Sequence, residues 1–315
     1  MSDLLFMLQE EPAIATFVAV VFGLLVGSFL NVVICRLPVI MKSQWYANIK
    51  EILDDAVVNK EKTGIEMVDN GTYQATPDAP LAAKPYRYLA WPPSACPNCN
   101  HKIKSYENIP VLSWLFLRGK CKGCHTPISI QYPIVEALTG ILVGLVVWLY
   151  GANLETGLFI VLLLGLITAT FIDLKHYLLP DEIMLPLLWL GLVASFAGWV
   201  SMPFEASFLG AVVGYLFFWI VNFVYKTLFR KEGMGHGDFK LLALLGAWLG
   251  VNAILPIILI STIVGSIVGI SLMLFFRHER SKPIPFGPYL ALAGVIYLLF
   301  GASFIHQWVP PLWLT

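Results

Sequence analysis

Charged residues are scarce in this chain of 315 residues: only 13% are Asp, Glu, Lys or Arg, whereas an average soluble domain has about 25%. The formal net charge is +0, so bulk charge indicates no nucleic-acid partner. A zinc-protease motif (H-E-x-x-H) and a glycine-rich dinucleotide fingerprint are also absent, which argues against a zinc metalloprotease and a soluble Rossmann domain. The chain therefore has the composition of a membrane protein rather than of a soluble enzyme.

Uncharged apolar stretches recur along the whole sequence. A membrane-spanning helix needs about 20 predominantly apolar residues, and the 36-residue stretch Leu241–Phe276 is long enough for two short helices. The N-terminus lacks a basic region and a small-residue cleavage site, so the first apolar segment is predicted to be a retained helix rather than a signal peptide. We predict an all-α polytopic membrane protein with about eight transmembrane helices. The predicted spans are 13–35, 133–150, 156–172, 183–200, 205–228, 239–251, 253–276 and 286–305.

The basic residues fix an orientation for these spans. All 20 Lys and Arg residues can be placed on one side of the membrane, and 12 of them fall in the connection 36–132. Basic residues mark the cytoplasmic side, so both termini are expected to face outward. The predicted parts are a first transmembrane helix (1–35), a cytoplasmic loop with a zinc site (36–132) and a seven-helix membrane domain (133–315).

Four of the five cysteines form two C-x2-C pairs in the cytoplasmic loop, Cys96/Cys99 and Cys121/Cys124, with 21 residues between the pairs. Two such pairs that converge supply the four ligands of a tetrahedral zinc site. A reducing cytoplasm favours metal over disulfides, although two separate redox pairs are an alternative. Four thiolates leave no open coordination position, so the zinc is expected to be structural. The fifth cysteine, Cys35, is interpreted as a small apolar residue at a helix end.

Three further features of the N-terminal half lead to weaker expectations. The polar segment Lys50–Lys84 contains turn residues and is predicted to be loop or weakly ordered chain. Asn31 is expected to form an interhelical hydrogen bond. Glu136 lies in the apolar start of the second span and is either a buried polar partner or part of a methyl-transfer region.

Two acidic motifs lie on the predicted cytoplasmic side. Asp173 ends an apolar span, and Asp181 follows Pro180 before the next helix. Asp238 precedes a further predicted helix. The structural alternatives are helix N-caps for Asp181 and Asp238 and a solvated interfacial carboxylate for Asp173. If Asp173 and Asp238 meet in a low-dielectric setting, they can share one proton and activate a water molecule.

A glycine-rich run leads into the second acidic motif. Gly233, Gly235 and Gly237 alternate with other residues before Asp238. Alternating glycines permit positive φ and close approach of the backbone to a partner. A phosphate-binding loop is the weaker interpretation, because no strand precedes the run and no Walker Lys-Ser/Thr follows it.

Taken together, these motifs resemble the type IV prepilin leader peptidases, whose GxGD signature is shared by intramembrane-type aspartyl proteases. The resemblance covers most of the chain except about 42–85 and the C-terminal tail, and the cysteine pairs match the long, bifunctional branch. The matching segments are Gly27-Ser-Phe-Leu-Asn-Val-Val-Ile-Cys-Arg36-Leu-Pro, Asn108-Ile-Pro-Val-Leu-Ser-Trp-Leu, Tyr132-Pro-Ile-Val-Glu136-Ala-Leu-Thr-Gly140, Asp173 with Pro180-Asp181, and Gly233-Met-Gly-His-Gly-Asp-Phe-Lys240.

The resemblance implies two activities on the cytoplasmic side of the bacterial inner membrane. One is cleavage of the short basic leader from type IV prepilins and type II secretion pseudopilins. The other is N-methylation of the new N-terminus with S-adenosylmethionine, for which no motif locates a site. It implies that Asp173 and Asp238 are catalytic, that Asp181 is not, and that Gly235 and Gly237 bind substrate. The lipid bilayer is the other expected partner.

Two rival functions remain in view. A proton-coupled transporter would place acids near the membrane midplane and show internal repeats, and neither pattern is visible here. A non-catalytic scaffold for pilus or secretion assembly would use the cysteine loop as a docking module. Such a scaffold would tolerate loss of both aspartates, which is the property that separates it from a protease.

Overall fold

The computed structural model describes residues 11–58, 89, 93–231, 233–275 and 284–308. Over these ranges the chain is helical, and its only β-structure is two isolated antiparallel bridges. The described ranges contain two 3-10 turns, Ser105–Asn108 and Val251–Ala253. The α-helices are α1 Pro12–Val58, α2 Leu112–Phe116, α3 Gln131–Tyr150, α4 Leu154–His176, α5 Asp181–Phe196, α6 Phe204–Phe229, α7 His236–Leu249, α8 Ile254–Phe275 and α9 Gly287–Trp308.

Each of the eight predicted spans corresponds to a separate helix. In the part of the chain that the structure describes, five helices are long and apolar enough to cross a membrane, as expected of a polytopic membrane protein. The helices α5 and α7 have only 16 and 14 residues, so the count of eight spans stays a prediction. The five long candidates are Pro12–Ile49, Gln131–Tyr150, Leu154–His176, Phe204–Phe229 and Val251–Leu274.

The first helix is longer than predicted. It continues as one helix to Val58, through Pro38, so Cys35 lies inside the helix and not at its end. The expectation of loop from Lys50 onward is wrong up to Val58, and the remainder of that segment lies outside the described residues. Residues 39–58 contain neither glycine nor proline, so nothing in the local sequence stops the helix after Pro38.

Small residues bring α1 and α3 into close contact. A Cβ atom added at Gly23 would lie 2.9 Å from the Cα atom of Gly140, so the backbones approach as in membrane helix pairs with glycine at the crossing. Near the start of α3, the Asn31 side-chain amide donates to the Tyr132 backbone oxygen at 3.1 Å. This contact confirms the interhelical hydrogen bond predicted for Asn31.

The short helix α7 forms the centre of the membrane domain. Eleven of its fourteen residues are buried, and it packs against α5, α6 and α9. Gly246 faces Gly210 of α6 so closely that a side chain at either position would meet the other backbone. The Trp248 indole N–H donates to the Leu187 backbone oxygen at 2.8 Å. Close packing on every side therefore determines where both ends of α7 lie.

The uncharged stretch Leu241–Phe276 is divided between two helices, as expected from its length. Gly250 ends α7 with φ +79°, a conformation that glycine adopts without the steric cost paid by other residues. A single 3-10 turn follows, and α8 begins at Ile254. Two helices rather than one long tilted helix are thus confirmed for this stretch.

Candidate active site and metal centre

The structure places Asp173 in the last turn of α4, where its side chain is buried. Tyr177 ends the helix in the left-handed conformation, with its N–H bonded to the Asp173 backbone oxygen at 2.9 Å. The carboxylate accepts a hydrogen bond from the backbone N–H of Gly287, the first residue of α9. The N-terminal end of a helix favours a negative charge, so α9 holds this carboxylate rather than leaving it in solvent. The interpretation of Asp173 as a solvated interfacial carboxylate is therefore wrong.

Asp238 lies in the first turn of α7, and its side chain is also buried. The helix begins at His236 with Gly235 as N-cap, so the N-cap interpretation of Asp238 is wrong. Leu179 packs against both Gly237, which precedes Asp238, and Gly287, whose Cβ position lies 2.6 Å from an Asp173 oxygen, so the two carboxylates lie at neighbouring helix ends. Two buried carboxylates in this arrangement are suited to share a proton and to act as acid and base toward a water molecule.

Asp181 has a different environment from the two buried aspartates. Pro180 is the N-cap of α5, so the N-cap interpretation of Asp181 is also wrong. Both oxygens of its exposed carboxylate accept a hydrogen bond from the Lys240 ammonium, each at 2.7 Å. Because Lys240 is in the second turn of α7, this ion pair fixes the start of α5 relative to the helix that carries Asp238.

The glycine run is ordered by packing and hydrogen bonds rather than by unusual backbone angles. Gly235 has φ −72°, and neither Gly233 nor Gly237 has a positive φ, so the freedom for positive φ that glycine offers is not used in this run. The Asn222 side-chain oxygen accepts the Gly233 N–H at 3.1 Å. A Cβ atom at Gly237 would lie 3.0 Å from the Leu179 Cβ atom, whereas at Gly235 it would meet only an Asp238 oxygen at 3.9 Å. Gly237 permits close packing, and Gly235 leaves space beside Asp238.

Sequence reasoning missed the contribution of Leu179 and of the start of α9. The Leu179 side chain lies within 3.2 Å of the Cβ positions of both Gly237 and Gly287, and a Cβ atom at Gly287 would lie 2.6 Å from an Asp173 oxygen. Leu179 thus fills the space between the helix ends that hold the two aspartates. The Gly287-Pro288 pair at a helix start was the available signal, but nothing in the sequence connected it to Asp173.

The four paired cysteines converge as predicted. Their sulfur atoms all lie within 4.8 Å of one another. The Sγ–Sγ distance is 3.7 Å for Cys96–Cys124 and 4.0 Å for Cys99–Cys121. A tetrahedral zinc with Zn–S bonds of about 2.3 Å separates its sulfurs by about 3.8 Å. The cluster therefore fits a metal ion bound by four thiolates.

Each C-x2-C pair sits in a hairpin closed by one antiparallel bridge, Ala95 with Lys102 and Lys120 with Pro127. The pKa of the Cys124 thiol is lowered to about 5, first by the hydrogen bond between its sulfur and the Thr126 hydroxyl at 3.1 Å and then by one with the Thr126 backbone. A low thiol pKa favours the thiolate form that binds metal. The hairpins, which we call the knuckle region (residues 93–130), are thus built to hold a cation.

Glu136 connects the knuckle region to the membrane helices. Its buried carboxylate accepts the Val111 backbone N–H at 2.7 Å and the Ser28 hydroxyl of α1. Val111 has φ +60°, a conformation that costs energy for a β-branched residue. Of the two roles left open by the sequence, the buried polar partner is the one that the geometry supports.

The fold and these two centres define a helical membrane protein with a buried aspartate pair and a four-cysteine metal site. Two family models match the chain: the bacterial peptidase A24 N-terminal domain over residues 21–150 and the type IV leader peptidase family over residues 160–270. The chain belongs to the type IV leader peptidase family.

Relatives named prepilin leader peptidase/N-methyltransferase match nearly the whole chain. The one from Stutzerimonas stutzeri is 44% identical over 93% of this chain and 93% of its own length. The one from Xanthomonas campestris is 46% identical over 96% of this chain and 97% of its own, and the one from Aeromonas hydrophila is 46% identical over 91% of each. No solved structure matches this chain significantly.

Proposed function

We propose that this protein cleaves the short basic leader from type IV prepilins and type II secretion pseudopilins and then N-methylates the new N-terminus. Family membership and the names of the relatives support both activities. The observation that carries the proposal is that the carboxylates of Asp173 and Asp238 are both buried, at helix ends that pack on the same leucine, Leu179. Removing a carboxyl group from water costs free energy. A scaffold without catalysis would gain nothing from two buried carboxyl groups that offsets this cost.

In this proposal Asp173 and Asp238 hold one proton between them. The ionised carboxylate takes a proton from water as the water attacks the scissile carbonyl, and the protonated carboxylate gives its proton toward the departing amine. The Gly287 N–H keeps Asp173 in place during this exchange. Gly235 leaves room beside Asp238 for an extended substrate backbone, and Gly237 allows α7 to pack on Leu179.

The proposed setting is the bacterial inner membrane, with eight spans in the lipid bilayer and the aspartate site facing the cytoplasm. Asp173 is at the end of α4, and Asp238 and Gly287 are at the starts of α7 and α9. All three helix ends adjoin the connections that contain the basic residues, which mark the cytoplasmic side. The site therefore lies at the surface where a basic leader would emerge from the membrane.

Zinc is the proposed ion of the four-cysteine cluster, since its preferred tetrahedral thiolate geometry matches the sulfur spacing. Cys96, Cys99, Cys121 and Cys124 would hold it as a structural ion that orders the knuckle region. S-adenosylmethionine is the proposed methyl donor. We place it where the knuckle region meets α1 and α3, because the buried Asn31 oxygen and the buried Gln131 amide nitrogen have no hydrogen-bond partner among the described residues.

The test is cleavage of a prepilin with a basic leader and a Gly-Phe junction by purified wild type, Asp173→Asn and Asp238→Asn. S-adenosylmethionine is present, and mass spectrometry scores leader release and methylation. Each variant should lose cleavage by roughly 100-fold or more, the usual contribution of a general acid or base. Asp181→Asn is the comparison variant: it removes only the exposed ion pair with Lys240 and should lower cleavage far less than either buried aspartate variant.

A second measurement separates loss of chemistry from loss of folding. The aspartate variants should keep wild-type metal content and should still methylate a pilin peptide supplied without its leader. If Asp173→Asn and Asp238→Asn cleave at the wild-type rate, the aspartates are structural and the scaffold function is the better account.

A further inference from the structure

The short helix α2 exposes an unusual amount of apolar surface for the cytoplasmic part of a protein. None of its five residues is buried, and Leu112, Leu115 and Phe116 are 52%, 57% and 83% exposed. Exposed apolar patches of this kind mark surfaces that contact a partner or a membrane. The proposed aspartate and metal sites do not use these three side chains.

The position of α2 relative to the membrane follows from its link to α3. Val111, which precedes α2, donates its N–H to Glu136 at 2.7 Å. Glu136 is five residues into α3, a rise of about 7.5 Å along that helix. Since α3 runs from Gln131 as one of the five candidate spans, α2 begins level with the first turns of a membrane helix and not far out in the cytoplasm.

The Trp114 side chain attaches α2 to the rest of the knuckle region. Trp114 donates its indole N–H to the Ile128 backbone oxygen at 3.2 Å. Gly119, at φ +66°, packs directly on the Trp114 ring. Trp114 thus ties α2 to the chain just before α3, while Leu112, Leu115 and Phe116 stay outside this contact.

The charges near α2 indicate which partner fits. Within residues 93–130 the only acidic residue is Glu107, and it pairs with His101 and Lys122. The basic residues of this region are Lys102, Lys104, Arg118, Lys120 and Lys122. Apolar side chains beside basic ones suit the boundary of a bilayer that contains anionic lipids. A basic leader peptide would be repelled by the same surface.

We propose that α2 is an interfacial membrane anchor. In this arrangement Leu112, Leu115 and Phe116 insert among the lipids of the cytoplasmic leaflet, and Arg118 and Lys120 contact anionic headgroups. The chain that enters α3 is also apolar and exposed, with Ile130 at the N-cap of the helix and Ile134 in its first turn. The anchor would hold the knuckle region against the membrane beside the first turns of α3.

The experiment places a photoreactive benzoylphenylalanine at position 116 of the full-length protein. The protein is reconstituted in vesicles of phosphatidylcholine with phosphatidylglycerol, irradiated and analysed by mass spectrometry. Position 267 on α8, where Ile267 is exposed, is the lipid-facing control. Position 98, where Asn98 is exposed on a cysteine hairpin, is the control for the part of the knuckle region away from α2.

Lipid adducts at positions 116 and 267 but not at position 98 are the expected result. Arg118→Gln should lower the share of phosphatidylglycerol adducts at position 116 about fivefold, the equivalent of one basic contact, with unchanged metal content. Adducts at position 116 to a second copy of the chain or to added prepilin, or no lipid adduct there while position 267 reacts, would overturn the anchor. Prepilin cleavage, measured separately, reports on the proposed function and not on this inference.

Discussion

The knuckle region and helix α7 are stabilised in opposite ways. Where the structure describes side chains among residues 93–130, the buried apolar ones are those of Cys96, Pro110 and Cys121, and each hairpin has a single bridge. In α7, by contrast, eleven of fourteen residues are buried among other helices. One region depends on a metal ion and a few polar contacts, and the other on close packing throughout its length.

This difference indicates which changes each region will tolerate. A region with almost no apolar core cannot offset the conformational entropy lost on folding without its metal ion. A region packed on every side tolerates polar changes at its ends but not added volume inside. Glu136, which accepts the Val111 N–H from within α3, reports on how the knuckle region is held to that membrane helix.

Loss of a cysteine ligand should have the largest effect. We expect Cys96→Ser to lose the metal, because structural zinc contributes an apparent ~10–16 kcal/mol to the folding of small metal domains. The knuckle region should then exchange its amide hydrogens rapidly while α7 stays protected, and both activities should fall. Elemental analysis and hydrogen exchange would measure this. Cys35→Ser is the matched control, because Cys35 is outside the cluster, and equal metal content in the two variants would contradict the prediction.

Two glycines beside Asp238 test the packed region. Gly237→Ala should destabilise the protein by about 1–3 kcal/mol by overpacking and impair cleavage, because the new methyl group would meet Leu179 at 3.0 Å. Gly235→Ala should fold normally, since nothing but an Asp238 oxygen lies near its Cβ position. Cleavage and thermal unfolding are compared for both variants.

If Gly235→Ala also lowers cleavage without any change in unfolding temperature, the space beside Asp238 is used by substrate or water. Wild-type stability and cleavage for Gly237→Ala would show instead that Leu179 moves aside easily. The close packing described for the start of α7 would then not be a constraint.

Glu136→Gln tests how the knuckle region is held to α3. The amide still accepts a hydrogen bond from Val111, but a neutral bond is weaker than a charge-assisted one, by about 1 kcal/mol. Hydrogen exchange should therefore quicken about fivefold at residues 109–117 and remain unchanged in α7. Glu155→Gln is the control. Glu155, in the first turn of α4, also accepts a backbone N–H, but its donor Ser201 lies in an exposed loop. Equal protection in wild type and Glu136→Gln would mean that this bond does not hold the knuckle region.

The smallest expected effect is a pH dependence of the stability that Glu107 gives to the knuckle region. Hydrogen bonds from the His101 side chain and then the Lys104 backbone N–H lower the pKa of Glu107 from 4.5 to about 2. Because the folded-state pKa is depressed, the stabilisation is fully present above pH 4.5 and is lost as pH falls towards about 2. Hydrogen exchange of wild type and Glu107→Gln, compared only in metal-loaded samples, should differ at least as much at pH 4.5 as at pH 7. A difference that vanishes between pH 7 and pH 5 would contradict this.

Features encoded by local pattern could be predicted from the sequence. The apolar segments became helices, the two cysteine pairs converged, and Asn31 formed its interhelical bond. Features that depend on contacts between distant segments could not be predicted. The Gly287 bond to Asp173 joins residues 114 positions apart, and the Lys240–Asp181 ion pair replaced the N-cap that local rules favoured. The length of α1 was missed because the predicted span stopped where the uncharged stretch ends, at Cys35, whereas the helix continues past Arg36 and Pro38 to Val58.

The length of α7 also affects how the chain enters the bilayer during synthesis. Its 14 residues span about 21 Å, whereas a lone membrane helix needs ~20 apolar residues. The first turn of α7 also contains an acidic residue, Asp238. Its partner α6 has 26 residues and meets it through the Gly210–Gly246 contact and the Ser207 hydroxyl bonded to the Ala247 oxygen. We therefore expect α6 and α7 to be inserted together as a helical hairpin. A nascent chain halted after α6 would expose a stable span, whereas α7 translated without α6 would be left outside the membrane.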